Sequence, residues 1–237
     1  PGQAHYLRNV LRLQAGAPVL AFNGRDGEWR GTLADAGKRG LSLIIGERLR
    51  AQTPAPDLHL LFAPLKHARL DYMVQKAVEM GAARLQPVLT RHTQVARVNL
   101  DRMRANAIEA AEQCGILTLP EVAAPATLDH VLAARDPARL LVFCDEAAEV
   151  KDPVAALVAA RAVPAARPLA VLIGPEGGFA EDERAILLAL PNAVRLALGP
   201  RILRADTAAV AALALVEAVL GDWSAEAAAF NMVNESH

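Results

Sequence analysis

The sequence is poor in cysteine and in aromatic side chains, and it lacks any long uncharged apolar run. Two cysteines in 237 residues, Cys114 and Cys144, are too few and too far apart for a zinc knuckle or a redox pair. A reduced, cytoplasmic protein is therefore expected. No apolar run approaches the ~18 residues needed to span a bilayer, and no secretory leader is visible, so no membrane partner is expected. His59, His67 and His92 are scattered without metal-ligand spacing, so no metal site is expected. There is no Gly-x-Ser-x-Gly elbow. There is also no Gly-x-Gly-x-x-Gly spacing and no glycine loop ending in Gly-Lys-Ser/Thr. Metalloenzymes, serine hydrolases and phosphate-loop enzymes are thereby disfavoured.

What is present is apolar bulk and an uneven distribution of charge. Apolar residues make up 53% of the chain, enough for a sizeable core, and charged residues make up 22%, so disorder is not the default. The net charge of −1 hides an asymmetry. Residues 1–50 carry eight Lys/Arg against four Asp/Glu, residues 51–120 eight against six, and residues 121–237 nine against sixteen. A basic first half fits a face for a polyanion; ordinary surface scatter fits equally well.

Two units are expected. A short helix over His5–Arg12 precedes three strands, Ala17–Phe22, Glu28–Ala34 and Leu41–Ile45. Turns at Asn23-Gly24, Arg25-Asp26-Gly27 and Lys38-Arg39-Gly40 separate them. This reads as a small β-barrel over residues 1–52, or as a generic small β-domain. Ala51–Pro56, with two prolines among small residues, reads as a linker. From residue 56 to 237 strands and helices alternate, which means a mainly parallel α/β sheet. The strands are Leu58–Ala63, Arg84–Leu89, Leu140–Cys144, Leu169–Ile173 and Ala193–Leu198. The helices are Leu70–Met80, ended by Gly81, Leu100–Cys114, capped by Asn99, Glu181–Leu190, and Thr207–Leu220, capped by Asp206. The last is apolar almost all round, as a central helix or a subunit interface would be.

Ligands of open α/β sheets bind beyond the carboxyl ends of the strands, and two such loops stand out. Gly174-Pro175-Glu176-Gly177-Gly178 follows an apolar strand, and its glycines admit a close backbone approach. A plain strand-to-helix turn would use the same residues, and Glu176 would repel phosphate. Leu198–Asp206 places Arg201 and Arg204 around Ile202 and Leu203 at the mouth of a helix. Aliphatic side chains there suit an adenine and the arginines suit an anion; alternatively the aliphatics are core and the arginines solvated. Asp145-Glu146, after another strand, could line a site but reads more simply as a solvated turn.

The pairing of LIGPEGGF (172–179) with LGPRILRADTA (198–208) resembles the ribosomal RNA small-subunit methyltransferase E family, the 16S rRNA uridine N3-methyltransferases. The opening run His5–Arg12, Lys66 with Arg69-Leu70-Asp71, Gln75–Gly81, Glu109–Gly115 and Pro120-Glu121 are similar too, so the likeness covers nearly the whole chain in order. Two departures stand out: Ile116 replaces a basic residue after Gln113-Cys114-Gly115, and Ala180 replaces a Ser or Thr helix cap.

The resemblance implies an N-terminal PUA-like barrel that binds RNA, then a SPOUT domain with a C-terminal trefoil knot, in a homodimer. It implies S-adenosyl-L-methionine as cofactor, held by Leu172, Ile173, Gly174, Pro175, Glu176, Gly177 and Gly178 with Leu198, Gly199, Ile202, Leu203 and Arg204. The expected reaction is methylation of uracil N3 in 16S rRNA, most readily within the assembled 30S subunit. Uracil N3 must lose a proton to attack a sulfonium methyl, which calls for positioning and for donors to the charge left on O2 or O4. Arg201 and Arg204 are the candidates for those donors, and Glu176 is a candidate base or a brace of the loop. Arg8, Arg12, Arg25, Lys66, Arg69, Lys76, Arg91 and Arg97 are the candidate RNA contacts. The rival expectations are methylation of a ribose 2′-hydroxyl or of tRNA, and a non-catalytic RNA-binding assembly factor.

Overall fold

The computed structural model describes residues 2–35, 37, 40–95, 97–149, 152–161 and 168–223. The expected turn residues Lys38 and Arg39 lie outside them. Contacts divide the chain into two compact units, residues 1–54 with 115–118, and residues 55–114 with 119–237.

In the first unit a helical turn, α1 (Gly2–His5), runs into a single π-helical turn over Tyr6–Val10. The helix thus begins three residues before the expected start, and Arg12, with φ +54°, ends it. Strands β1 (Pro18–Phe22), β2 (Glu28–Asp35) and β3 (Leu41–Arg50) follow. They pair antiparallel in that order, and among the described residues the sheet is open rather than a closed barrel. β3 runs five residues past the expected end because Arg50 grips Glu28 with two hydrogen bonds of 2.9 Å. Arg50 also donates to the Gly115 carbonyl, and Gln52 to that of Leu117, which brings 115–118 into this unit.

The second unit is built on a seven-stranded sheet in which every pair is parallel. Its strands are β4 (Leu58–Phe62), β5 (Arg84–Leu89), β6 (Glu121–Val122), β7 (Ala126–Thr127), β8 (Leu140–Cys144), β9 (Leu169–Ile173) and β10 (Ala193–Leu196). The order is β10-β8-β9-β4-β5-β6, with β7 also on β5. β4, β8 and β9 are central and read as continuous apolar runs because both of their faces are covered. Pro87 in β5 has no N–H to donate. The ladder beyond it breaks there into β6 and β7, and the Gln86 side-chain amide spans the gap to the Ala124 carbonyl at 2.8 Å.

The helices are α2 (His67–Glu79), α3 (Leu100–Cys114), α4 (Leu128–Ala133), α5 (Pro153–Ala159), α6 (Glu181–Ala189) and α7 (Ala205–Val219). α2 buries Leu70, Met73, Val74, Ala77 and Val78, an i, i+3, i+4, i+7 stripe, and Gly81 at φ +82° turns the chain beyond it. Asn99 caps α3 as expected, its side-chain oxygen accepting from the Arg102 amide at 3.0 Å. α7 starts two residues before the expected position, so Asp206 lies inside its first turn and Arg204 is the cap residue. Ala180 offers α6 no side-chain cap. Buried Glu183 compensates, accepting from the amides of Ala180 at 3.0 Å and Arg91 at 2.9 Å. No described helix is long and apolar enough to cross a membrane.

Candidate functional site

Because β8, β9 and β10 are parallel and in register, their carboxyl ends, Cys144, Ile173 and Leu196, lie side by side. The loops leaving them enclose one cleft of roughly 260 Å³. Gly174, Pro175, Glu176 and Gly178 line it from β9, and Leu198–Ala205 line it from β10. The two strand-end turns singled out in the sequence thus meet.

The β9 loop is fixed from below by Phe179. That ring is buried and meets Phe143 edge-on, with centroids 6.5 Å apart. It also explains Gly174: a Cβ there would come within 3.0 Å of the Phe179 ring. The turn itself closes through the Gly178 amide, which donates to the Pro175 carbonyl at 2.9 Å. From outside, His92 Nδ1 lies 3.2 Å from the Gly177 carbonyl oxygen and 3.0 Å from that of Gly178.

The expected residues divide as follows. Ile173, Gly174, Pro175, Glu176, Gly178, Leu198, Gly199, Arg201, Ile202, Leu203 and Arg204 all line the cleft. Leu172 and Gly177 are not among the lining residues. Leu172 is fully buried in the core beside Phe143 and Phe179, because alternate residues of a strand face opposite sides. Gly177 faces His92. Ile202, 86% exposed, is not core. Arg201 and Arg204 are exposed and, among the described residues, form no ion pair. Glu176 is paired with Arg69 of α2, Nη1 to Oε1 3.4 Å.

Three lining residues come from β8: Cys144, Asp145 and Glu146. The expected solvated turn at Asp145 is corrected by its burial, 4% exposed, and by its partners. Its Oδ2 accepts from Arg184 Nε and Arg195 Nε, each at 2.9 Å. Burial pushes this carboxyl up, but Arg184, the Ala147 amide and Arg195 outweigh it and hold it below its ordinary range. Sequence spacing gave no sign of this, since the two arginines come from α6 and β10. Burial, reinforced by the charge of Asp145, pushes the Cys144 thiol up to about 12, so it stays an unreactive neutral group in the wall.

Of the expected RNA contacts in this unit, Lys66, Arg69, Arg91 and Arg97 stand on the segments that leave β4 and β5, all exposed except partly covered Arg69. Arg91 is paired with Asp182. Lys76 is two turns further along α2 than Arg69, about 10 Å away, and its ammonium is held by Glu79 at 2.6 Å. In the first unit Arg8 lies 3.6 Å from Asp35, Arg25 is bound to Asp26 at 3.0 Å, and Arg12 shares a small pocket with Arg8.

Two family models match the chain. One described as an RNA methyltransferase domain matches residues 52–217, and one described as an RNA methyltransferase PUA domain matches residues 2–46. The ribosomal RNA small subunit methyltransferase E of Rickettsia conorii is 32% identical over 90% of this chain and 85% of its own length. That of Synechocystis sp. is 34% identical over 92% of this chain and 71% of its own. The crystal structure of the Neisseria gonorrhoeae ribosomal RNA small subunit methyltransferase E, bound to S-adenosyl methionine, superposes with a TM-score of 0.80 at 25% identity, covering 94% of this chain and 92% of that one. The chain belongs to the ribosomal RNA small subunit methyltransferase E family.

Proposed function

We propose that this chain transfers a methyl group from S-adenosyl-L-methionine to uracil N3 of a uridine in 16S rRNA, within the assembled 30S subunit in the cytoplasm. The observation that carries the reading is the meeting of Gly174–Gly178 and Leu198–Arg204 on one cleft, with Arg201 and Arg204 exposed at its rim. The cleft suits the cofactor: its walls are largely apolar, from Ile173, Leu196, Leu198, Ile202 and Leu203. Gly199, at φ +84° and with open space where a side chain would lie, leaves backbone groups open to an adenine edge.

When bound, S-adenosylmethionine supplies an electrophilic methyl on sulfur. The chain's own part is positioning and charge stabilisation. Arg201 and Arg204 donate to the uracil oxygens as N3 gives up its proton, and the base leaves any stack to reach the rim. Glu176, already paired with Arg69, braces the loop or accepts that proton. Lys66, Arg69, Arg91 and Arg97, with Arg8, Arg12 and Arg25 of the first unit, hold RNA phosphates and so set orientation more than sequence.

Two further elements belong to this reading. After β10, at the sheet edge, the chain returns to lay α7 against α2 and β9 at the sheet centre. That return supports a trefoil knot of the SPOUT type. The apolar outer face of α7, with Val210, Ala211, Ala214 and Leu215 only partly covered, supports a homodimer.

The test is nucleoside mass spectrometry of 30S subunits treated with the enzyme and labelled cofactor. N3-methyluridine in 16S rRNA is expected. A ribose-methylated product, or methylated tRNA, defeats the substrate assignment. Absence of cofactor binding by calorimetry points instead to a non-catalytic assembly factor.

A further inference from the structure

The cofactor reading leaves His92 unused, yet among the described residues this is the side chain that hydrogen-bonds the Gly177 and Gly178 carbonyls. A carbonyl oxygen only accepts, so the proton between them must sit on Nδ1. One N–H therefore holds two successive glycine carbonyls from the outside of a turn whose inside lines the cleft.

His92 is itself held. It occupies the tip of a turn closed by Thr90 and Thr93: the Thr90 amide donates to Thr93 Oγ1 at 2.8 Å, and the Thr93 amide to the Thr90 carbonyl at 3.2 Å. Its neighbour Arg91 anchors to α6 through Glu183 and Asp182. The turn leaves β5, and the cleft turn leaves β9, with only β4 between those strands. His92 thus bridges the carboxyl end of β4, joining the segment that bears Arg91 and Arg97 to the wall of the cleft. Two consecutive glycines, one at φ +70°, are the least self-ordering part of that wall.

We propose that His92 is a positioning residue: through Nδ1–H it fixes the Pro175–Gly178 turn in its cofactor-accepting shape and couples that shape to the turn closed by Thr90 and Thr93. The inference rests on the cleft being the cofactor site. It does not require His92 to touch cofactor or RNA.

The test compares His92→Asn, His92→Gln and His92→Ala in the full chain. Asn places an N–H donor as many bonds from the backbone as Nδ1; Gln places one where Nε2 lies. Calorimetry with S-adenosylmethionine should give His92→Asn an affinity within about threefold of wild type. His92→Gln and His92→Ala should bind roughly tenfold more weakly, the loss expected for one directed hydrogen bond. KM for the cofactor should rise in those two, with turnover at saturating cofactor changed less than about threefold, as expected for lost uniform binding. Melting temperatures should be alike, since the side chain is exposed. A purely structural role would move stability and leave Asn and Gln indistinguishable.

Amide hydrogen exchange of Gly177 and Gly178 without ligand gives a second readout. Exchange should quicken in the Gln and Ala variants and not in Asn. Equal cofactor affinity in all three variants, or equal exchange, overturns the proposal. If wild type binds no cofactor, the reading of the cleft fails, and exchange alone then decides whether His92 holds the turn.

Discussion

Arg69 Nη1 stands 3.4 Å from Glu176 Oε1, tying the start of α2 to the turn that lines the cleft. Both side chains are more than a third exposed, so the pair adds little to stability, about 0–1 kcal/mol. If Glu176 only braces the turn, its charge takes no part in proton removal. Glu176→Gln should therefore leave the denaturation midpoint nearly unchanged and slow methyl transfer by less than about tenfold. A general base contributes roughly 10²–10⁴-fold. A single-turnover rate reduced by 10² or more would assign Glu176 to proton removal.

Asp145 presents the opposite case, a buried carboxylate between two arginines. Its side chain is 1% exposed, and those of Arg184 and Arg195 are 25% and 22% exposed. Removing the shared anion leaves two cations facing each other in a poorly solvated site. Asp145→Ala should cost about 3–5 kcal/mol in urea or guanidinium unfolding, with Asp145→Asn recovering part of that loss through hydrogen bonding. The depressed carboxyl has a sign that pH can read. Its contribution is present above the ordinary aspartate range and is lost as pH falls through the lower folded value. The wild-type advantage over Asp145→Asn should accordingly shrink below about pH 4. A loss under about 1 kcal/mol at neutral pH would mean that the two arginines do not depend on Asp145.

Sequence reasoning reached the layers of this fold where local chemistry decides them. Continuous apolar runs marked β4, β8 and β9, Asn99 marked the start of α3, and Gly81 marked the end of α2. It missed β6, β7, α4 and α5, which are two to seven residues long and exist through tertiary pairing. β6 and β7 need the edge of β5, and their separation follows from Pro87. The cleft loops were legible because glycine and proline crowd the ends of buried strands. Their proximity was not, because it depends on β8 lying between β9 and β10 in the sheet. The same strand order hid Asp145 and His92, whose partners are 39 to 86 residues away in sequence.

Leu172 and Ile202 separate packing from binding. Both were expected to touch the cofactor; one is fully buried and the other is 86% exposed on the cleft rim. Leu172→Ala deletes core volume beside Phe143, Phe179 and Leu187 and should cost about 2–5 kcal/mol. Ile202→Ala should stay within about 0.5 kcal/mol of wild type. It should still weaken S-adenosylmethionine binding several-fold, because an apolar side chain covering the adenosine contributes roughly 1–2 kcal/mol. Thermal unfolding with and without cofactor distinguishes the two. An Ile202→Ala protein with wild-type affinity would remove this residue from the site.

Glu217 near the end of α7 is 2% exposed. Burial pushes its carboxyl up to about 8, aided by the nearby Asp222 carboxyl and opposed only in part by the Asp222 amide, which donates to Oε2 at 3.0 Å. The folded protein thus keeps a proton that the unfolded chain releases near its ordinary value of 4.5. The sign follows directly. Below 4.5 both states are protonated and stability is undiminished; it declines as pH rises toward 8 and levels off beyond. Glu217→Gln imitates the protonated acid and carries no such penalty. Its melting temperature should match wild type near pH 4 and exceed it increasingly up to pH 8, by roughly 2–4 °C for each 1 kcal/mol recovered. A gap that is constant across this range would mean that Glu217 is ionised in the folded protein.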